Sequence, residues 1–318
     1  MNSTQKYVSH LKHIFSLKEQ NQNCPATTFR PKTTNGGTLF GLIKIHLKSI
    51  IRCIIYMPIV VYQGWQYLCK TWNLKGSAKK KRALIMGNGP SQGYMQAKEL
   101  DQFVESGGET YGVNYWQTNL ELSAHVPTWI VFSDPYTLEE AVRSNASSLL
   151  EYLKNNQCIK LVIPTSQIKL IQGKGLRNEI HCFVDLELSI WKNINPLLPR
   201  GYTTLTLYKA LAWTVYLGYE SIGIIGMDNT FPKSVYNDEN NKVNFLETHA
   251  GEDDLLVDMS SVYSTVASFY DSVFKIFYHL EYFPQKNIVN LDPYSLTDRF
   301  RKINKSDFLK IISNNEVK

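Results

Sequence analysis

The sequence predicts an α/β fold: a Rossmann-like, mainly parallel sheet with helices on both faces, preceded by a basic amphipathic helical segment. Two observations carry that expectation. From Ala83 onward, apolar or β-rich runs at 83–87, 111–115, 128–132, 158–164, 181–185, 221–226 and 287–292 alternate with helical stretches at 92–104, 137–153, 203–217 and 259–281. Strands alternating with helices build parallel sheets covered on both sides. The charge, in turn, is unevenly divided. Residues 1–82 hold 14 Lys and Arg against the single acid Glu19, a net of +13, while the rest of the chain nets −7. With 318 residues, 43% of them hydrophobic, the chain can bury a sizeable core.

Three regions follow from composition. Residues 1–38 are polar and expected to be partly disordered. Residues 39–82 are a basic, membrane-associating segment, and residues 83–318 are the Rossmann-like catalytic domain. In the middle region Lys44, Lys48 and Arg52 recur every four residues, which on a helix makes one basic stripe. Leu42, Ile43, Leu47, Ile50, Ile51, Ile54 and Ile55 cover much of the remaining surface. The uncharged run from Cys53 to Cys69 is interrupted by Pro58 and Gly64 and is marginal for spanning a bilayer. A helix lying in the membrane interface suits it better, with Trp65, Tyr67 and Trp72 near its end. Lys79-Lys80-Lys81-Arg82 adds attraction to anionic lipid, about 1 kcal/mol per charge. The aliphatic setting makes nucleic acid the weaker explanation for these charges. Five scattered cysteines with no C-x-x-C point to a reducing compartment and away from a disulfide framework or zinc site.

The strand 83–87 runs into Gly87-Asn88-Gly89-Pro90-Ser91. That reads as a tight turn at a helix N-terminus, where glycines let backbone N–H groups approach an anion. It is neither a P-loop nor the dinucleotide G-x-G-x-x-G. In parallel sheets ligands bind beyond the carboxyl ends of the strands, and the other polar candidates fall there. Asn114 follows the second strand and can donate and accept at once, as a nucleobase or ribose requires. Asp134 follows the third. Arg200, Thr203, Thr204 and Thr206 gather where a long apolar helix begins, a plausible site for a carboxylate or phosphate. Asp228 ends the strand 221–226, placed for a ribose hydroxyl, a sugar or a metal ion. His249 sits in a loop with Glu252, Asp253 and Asp254, whose charges would raise its pKa and suit it to general-base work.

In this order the pieces resemble the bacterial sialyltransferases of glycosyltransferase family forty-two and the wider superfamily shared with MptE-like pterin pyrophosphokinases. The resemblance covers about Ala83 to Arg301. It rests on the Gly87–Ser91 turn, on Asn114 and Asp134, and on Leu217-Gly218-Tyr219-Glu220 followed by Gly226-Met227-Asp228. It ends on Asn290-Leu291-Asp292-Pro293-Tyr294-Ser295-Leu296. The resemblance implies an inverting, metal-independent transfer of a sialic-acid-like or other sugar from a nucleotide donor, CMP-linked, with no cofactor beyond that donor. It implies His249 as the base, Tyr236 as a ligand of the leaving phosphate, and Thr206 as the hydroxyl near the donor. The family's hydroxyl triplet is Leu205-Thr206-Leu207 here, and Asp134 stands in for an asparagine.

The expected partners are a nucleotide-sugar donor, a glycan or lipid-linked acceptor, and an anionic membrane surface met through residues 39–82. Self-association is left open. The expected location is cytoplasmic, peripheral on the inner face of a bacterial plasma membrane. Two alternatives stay open: a Mg-dependent pyrophosphokinase using Asp228 with Glu252, Asp253 or Asp254, and a membrane-tethered nucleotide-binding module without catalysis.

Overall fold

The computed structural model describes residues 37–114, 116, 122, 124–133, 137–138, 148–188, 190–202, 205–247, 255–261 and 266–310. Eight strands form one sheet: β1 (Arg82–Met86), β2 (Glu109–Val113), β3 (Trp129–Val131), β4 (Lys160–Pro164), β5 (Ile180–Phe183), β6 (Ser221–Ile225), β10 (Ile288–Asn290) and β11 (Arg301–Lys302). Their order is β11-β10-β6-β1-β2-β3-β4-β5, and every neighbouring pair is parallel. All seven runs expected to be strands are strands. The sheet is buried on both sides, which is why its strands read as continuous apolar runs. Along β1, Leu84 and Met86 enter one core cluster while Ala83 and Ile85 enter the other.

Helices fill both faces. These are α1 (Gly37–Asn73), α2 (Ala97–Glu105), α3 (Ser148–Asn155), the single turn α4 (Ile168–Ile171), α5 (Thr206–Leu217), α6 (Val266–Leu280) and α7 (Lys305–Lys310). Leu100, Phe103 and Phe308 pack on one side of the sheet; Tyr208, Trp213 and Leu280 pack on the other. α5 ends at Gly218 in the left-handed conformation, φ +79°. The strand–helix pattern did not foresee a three-stranded antiparallel sheet of β7 (Tyr236–Asn237), β8 (Val243–Glu247) and β9 (Leu255–Asp258). Its strands are short, and two of them fall in a polar stretch.

α1 is a single helix that runs through both Pro58 and Gly64, where the sequence reading had placed interruptions. Pro58 is exposed, so its missing N–H leaves no buried group unpaired. Gly64 is buried, and a Cβ there would lie 2.6 Å from Thr165 Cγ2, so the glycine sets how closely the helix seats. Ser49, Cys53, Met57, Val60, Gly64, Leu68 and Thr71 recur at three- and four-residue steps and form the body-facing stripe. Thr71 Oγ1 donates to the Cys182 carbonyl at 3.0 Å, tying the helix to the edge strand β5. By length and composition the stretch His46–Asn73 is apolar enough to cross a membrane.

Candidate functional site

Strand order decides where a site can form. From β1 the chain steps outward through β2, β3, β4 and β5, then returns to the other side of β1 with β6. At such a reversal the loops after the two central strands diverge and leave a crevice. The loop after β1 is Gly87–Ser91 and the loop after β6 is Gly226–Asn229, so two of the sequence-predicted segments meet there.

They meet by direct backbone contact. Gly87 N donates to Ile225 O at 2.8 Å and Gly89 N to Gly226 O at 3.0 Å. Ser91 N donates to Asp228 Oδ1 and Ser91 Oγ to Asp228 Oδ2, both at 3.0 Å. Gly226 N donates to Ser91 Oγ at 2.8 Å. This revises the expected phosphate cradle. The N–H groups of Gly87, Gly89 and Ser91 serve the neighbouring loop, and the glycines permit that close approach. The following element also differs: Pro90–Tyr94 is a 3-10 turn, and α2 begins only at Ala97 behind a Gln96/Glu99 capping box. No helix N-terminus therefore points at this turn from its own strand.

The helix N-terminus at the crevice belongs to α5. Leu205 is its N-cap and supplies no side-chain cap, so the first amides are left to other partners. Thr206 instead joins a strand-end cluster. Asn114 Nδ2 donates to Thr206 Oγ1 at 3.0 Å, and Ser133 Oγ lies 2.6 Å from the same hydroxyl. Ser133 N donates to Asn114 Oδ1 at 3.3 Å. Asn114 takes a left-handed conformation, φ +47°, as asparagine does more readily than most residues. Asn114 and Thr206, 92 positions apart, are thus brought together, and Ser133 completes them. Leu207 abuts Gly87, so this cluster adjoins the glycine turn.

Asp228 is braced from the far side by the segment after β10. Ser295 Oγ donates to Met227 O at 2.7 Å, and Leu296 N donates to Asp228 O at 2.9 Å. Asn229, φ +50°, donates through Nδ2 to Thr297 Oγ1 at 3.0 Å. Asp292 was not singled out for a role in the sequence, although it ends β10 as Asp228 ends β6. One of its oxygens accepts from Tyr294 N at 2.8 Å, while Oδ2 is buried without a donor. It faces the Asp228 carboxyl, which burial and then Asp292 push up to about 6. Asp228 therefore keeps its proton to a higher pH than an ordinary aspartate does.

The raised Asp228 carboxyl has a pH signature. The folded chain holds a proton that the unfolded chain has lost, so this pair makes stability fall as pH rises from 3.8 to about 6. In Asp292→Asn the amide donates to Asp228 and the carbonyl keeps the Tyr294 N–H. The variant should be more stable than the parent at about pH 8, by about 1–3 kcal/mol, and should show a shallower slope, since the burial of Asp228 remains. Urea melts of both proteins across this range test it; an unchanged slope would mean that Asp292 does not act on Asp228.

Arg200 stands elsewhere. It is buried, donating through Nε to Asp185 Oδ1 at 3.1 Å, through Nη1 to Glu187 Oε2 at 3.3 Å, and to the Tyr202 carbonyl. Lys209 Nζ adds a second cation 2.9 Å from Asp185. Burial alone would raise the Asp185 carboxyl, but Lys209 and Arg200 outweigh it and hold it at about 2. Burial lowers Lys209 to about 8 against the pull of Asp185. The expected carboxylate or phosphate ligand is thus occupied by internal partners. Tyr236 lies on β7 of the small sheet, 44% exposed. His249, Asp134 and Thr204 lie outside the described residues, as do Glu252, Asp253 and Asp254.

One arrangement imitates a catalytic triad. His125 Nδ1 lies 2.6 Å from Asp101 Oδ1 and Nε2 2.9 Å from Thr110 Oγ1. Thr110, however, is fully buried near the start of β2, at the opposite end of the sheet from the crevice. Burial lowers the His125 pKa despite Asp101. These three hold the β2–β3 connection in place.

No family model matches the chain, and no curated protein matches it. A solved structure, a MAf glycosyltransferase from Magnetospirillum magneticum AMB-1, is similar at 12% identity with a TM-score of 0.42. The match covers 72% of this chain and 34% of that one, so the chain spans about a third of that protein's length. Nothing about chemistry follows from a likeness of that extent.

Proposed function

We propose that this chain is a glycosyltransferase working at a membrane surface. It moves a sialic-acid-like or other nonulosonic sugar from a nucleotide donor, CMP-linked, to a glycan or lipid-linked acceptor, with inversion and without a metal. The observation that carries this reading is the convergence at one crevice of Gly87–Ser91, Asn114, Thr206 and Asp228. An α5 N-terminus without a side-chain cap suits the donor phosphate there, and Asn88, partly exposed, and Asn114 suit the base and ribose. His249 acts as the base on the acceptor hydroxyl and Tyr236 steadies the leaving phosphate; both assignments rest on the sequence resemblance. Residues 39–82 hold the enzyme on the cytoplasmic leaflet, where a lipid-linked acceptor resides.

Thermal-shift measurements with CMP, CDP, UDP, GDP and ATP, each with and without Mg²⁺, test the donor. A metal-independent shift by CMP is expected, and His249→Ala should keep that shift while losing roughly 10²–10⁴-fold in turnover. Stabilisation by ATP with Mg²⁺ alone would replace this reading with the pyrophosphokinase. Nucleotide binding with His249→Ala indistinguishable in the producing cell would leave a non-catalytic module.

A further inference from the structure

The outward side of α1 is apolar and basic. Ile54, Tyr62 and Trp65 are 68%, 87% and 61% exposed, and the helix contains no acid. Since its other side is seated on the body from Ser49 to Thr71, the helix has only this outward side to offer a bilayer.

Two further segments extend the same surface. Ser49 Oγ and Cys53 Sγ of α1 both donate to the Glu187 carbonyl, at 2.6 and 3.5 Å. That contact places the 187–193 loop against the helix. Residues 187–188 and 190–193 are held by backbone hydrogen bonds: Leu188 N donates to Arg200 O, Trp191 N to Leu188 O, and Gly201 N to Asn193 O. A Cβ on Gly201 would strike the Trp191 carbonyl. Yet Ile190 and Trp191, both large and apolar, are exposed. Rigid backbone that presents an isoleucine and a tryptophan to solvent suits contact with something outside the chain.

The next residue links the loop to α6. Lys192 Nζ lies over the Tyr278 and Tyr282 rings at 5.5 and 5.4 Å. On α6, Val266, Tyr270, Phe274 and Tyr278 recur every four residues and are all exposed, with Phe274 stacked on Tyr278. Exposed aromatic rings with polar tips, interspersed with Lys, match the composition of the membrane–water boundary.

We infer that the outward side of α1, the Ile190-Trp191-Lys192 loop and the α6 aromatic row form one continuous surface that docks on an anionic lipid bilayer. The inference rests on the membrane reading above and extends it to residues 190–192 and to α6. Charge decides the occupant. Lys48, Arg52 and Lys192 line the surface, and Asp271 of α6 is paired with Lys275. A second copy would bring like charges together, whereas phosphatidylglycerol headgroups neutralise them. The Glu187 contact lies just beyond the carboxyl end of β5, so the surface reaches the end of the sheet that holds the crevice. A lipid-linked acceptor would then meet the donor without leaving the interface.

Co-flotation of the full chain with vesicles of phosphatidylcholine alone, or mixed with phosphatidylglycerol, tests this. The parent should float with the anionic vesicles and detach in high salt. Ile54→Ser/Tyr62→Ser, Ile190→Ser/Trp191→Ala and Tyr270→Ser/Tyr278→Ser should each weaken binding roughly tenfold or more, given the apolar area removed. All six positions are exposed, and circular dichroism should show each fold intact. A parent that ignores anionic vesicles overturns the membrane reading and the inference together. Loss confined to the α1 variant, with the other two floating like the parent, overturns the three-segment surface alone. A dimer in light scattering that Trp191→Ala dissolves, without vesicle binding, assigns the face to a second copy and overturns it too.

Discussion

Gly226→Ala is expected to cost roughly 3–5 kcal/mol and to abolish nucleotide binding. Gly226 has φ +74°, and a Cβ there would fall on the backbone carbonyl of Gly87. The left-handed conformation alone costs an alanine roughly 1–2 kcal/mol. The clash adds more, because backbone cannot swing aside as a flexible side chain can. Relief requires the β1 and β6 loops to separate, which breaks the Gly89 N–H bond to Gly226 O and the Ser91 clasp on Asp228. A fall in Tm of about 10 °C follows at roughly 2–4 °C per kcal/mol. Gly93→Ala is the control: nothing lies near its would-be Cβ. Scanning calorimetry of both variants decides the matter; equal melting of the two would mean the loops do not cross as described.

Asp185→Ala should be about as damaging, by a different route. It removes the carboxylate that Arg200 and Lys209 share and leaves Lys209 buried without that counter-charge. Breaking a buried ion cluster from one side costs about 3–5 kcal/mol. Because burial lowers Lys209 to about 8, the parent already gains stability as pH rises from about 8 toward 10.5, where the unfolded chain binds the extra proton. In Asp185→Ala that window should open at lower pH. Adding Lys209→Met should recover most of the loss, since neutral packing substitutes well for a buried pair. Denaturant melts of parent, single and double variants test this. If the double variant stays as unstable as the single, charge is not the cause. The folded fraction of either variant should bind nucleotide like the parent, as expected of an architectural Arg200.

The architecture was legible because it is local. Apolar runs bounded by turn residues marked seven of the eight strands of the main sheet, and their carboxyl ends marked where polar side chains would collect. Asn114 and Asp228 were singled out for that reason, and Thr206 because it begins a long apolar helix. Asp292 could have been found by the same rule, since it ends β10 as Asp228 ends β6. Ser133 followed a predicted strand as well, beside Asp134.

Other features depended on contacts between residues far apart in the chain. Which strand returns beside β1 is not a periodicity; it is settled when β6 pairs with it across more than 130 positions. That pairing turns Gly87 from a candidate phosphate ligand into one side of the crossing point of two loops, with Gly226 as the other. Arg200 looked available because the sequence does not show that Asp185 and Lys209 converge on it in the core. Pro58 and Gly64 looked like interruptions because propensity describes an isolated helix, whereas α1 is held from Ser49 to Thr71 by the body it packs against. The amphipathic pattern of α1 and the order of strands and helices belong to the sequence alone. The site belongs to the tertiary structure, because burial and charge pairing act between groups that only the fold brings together.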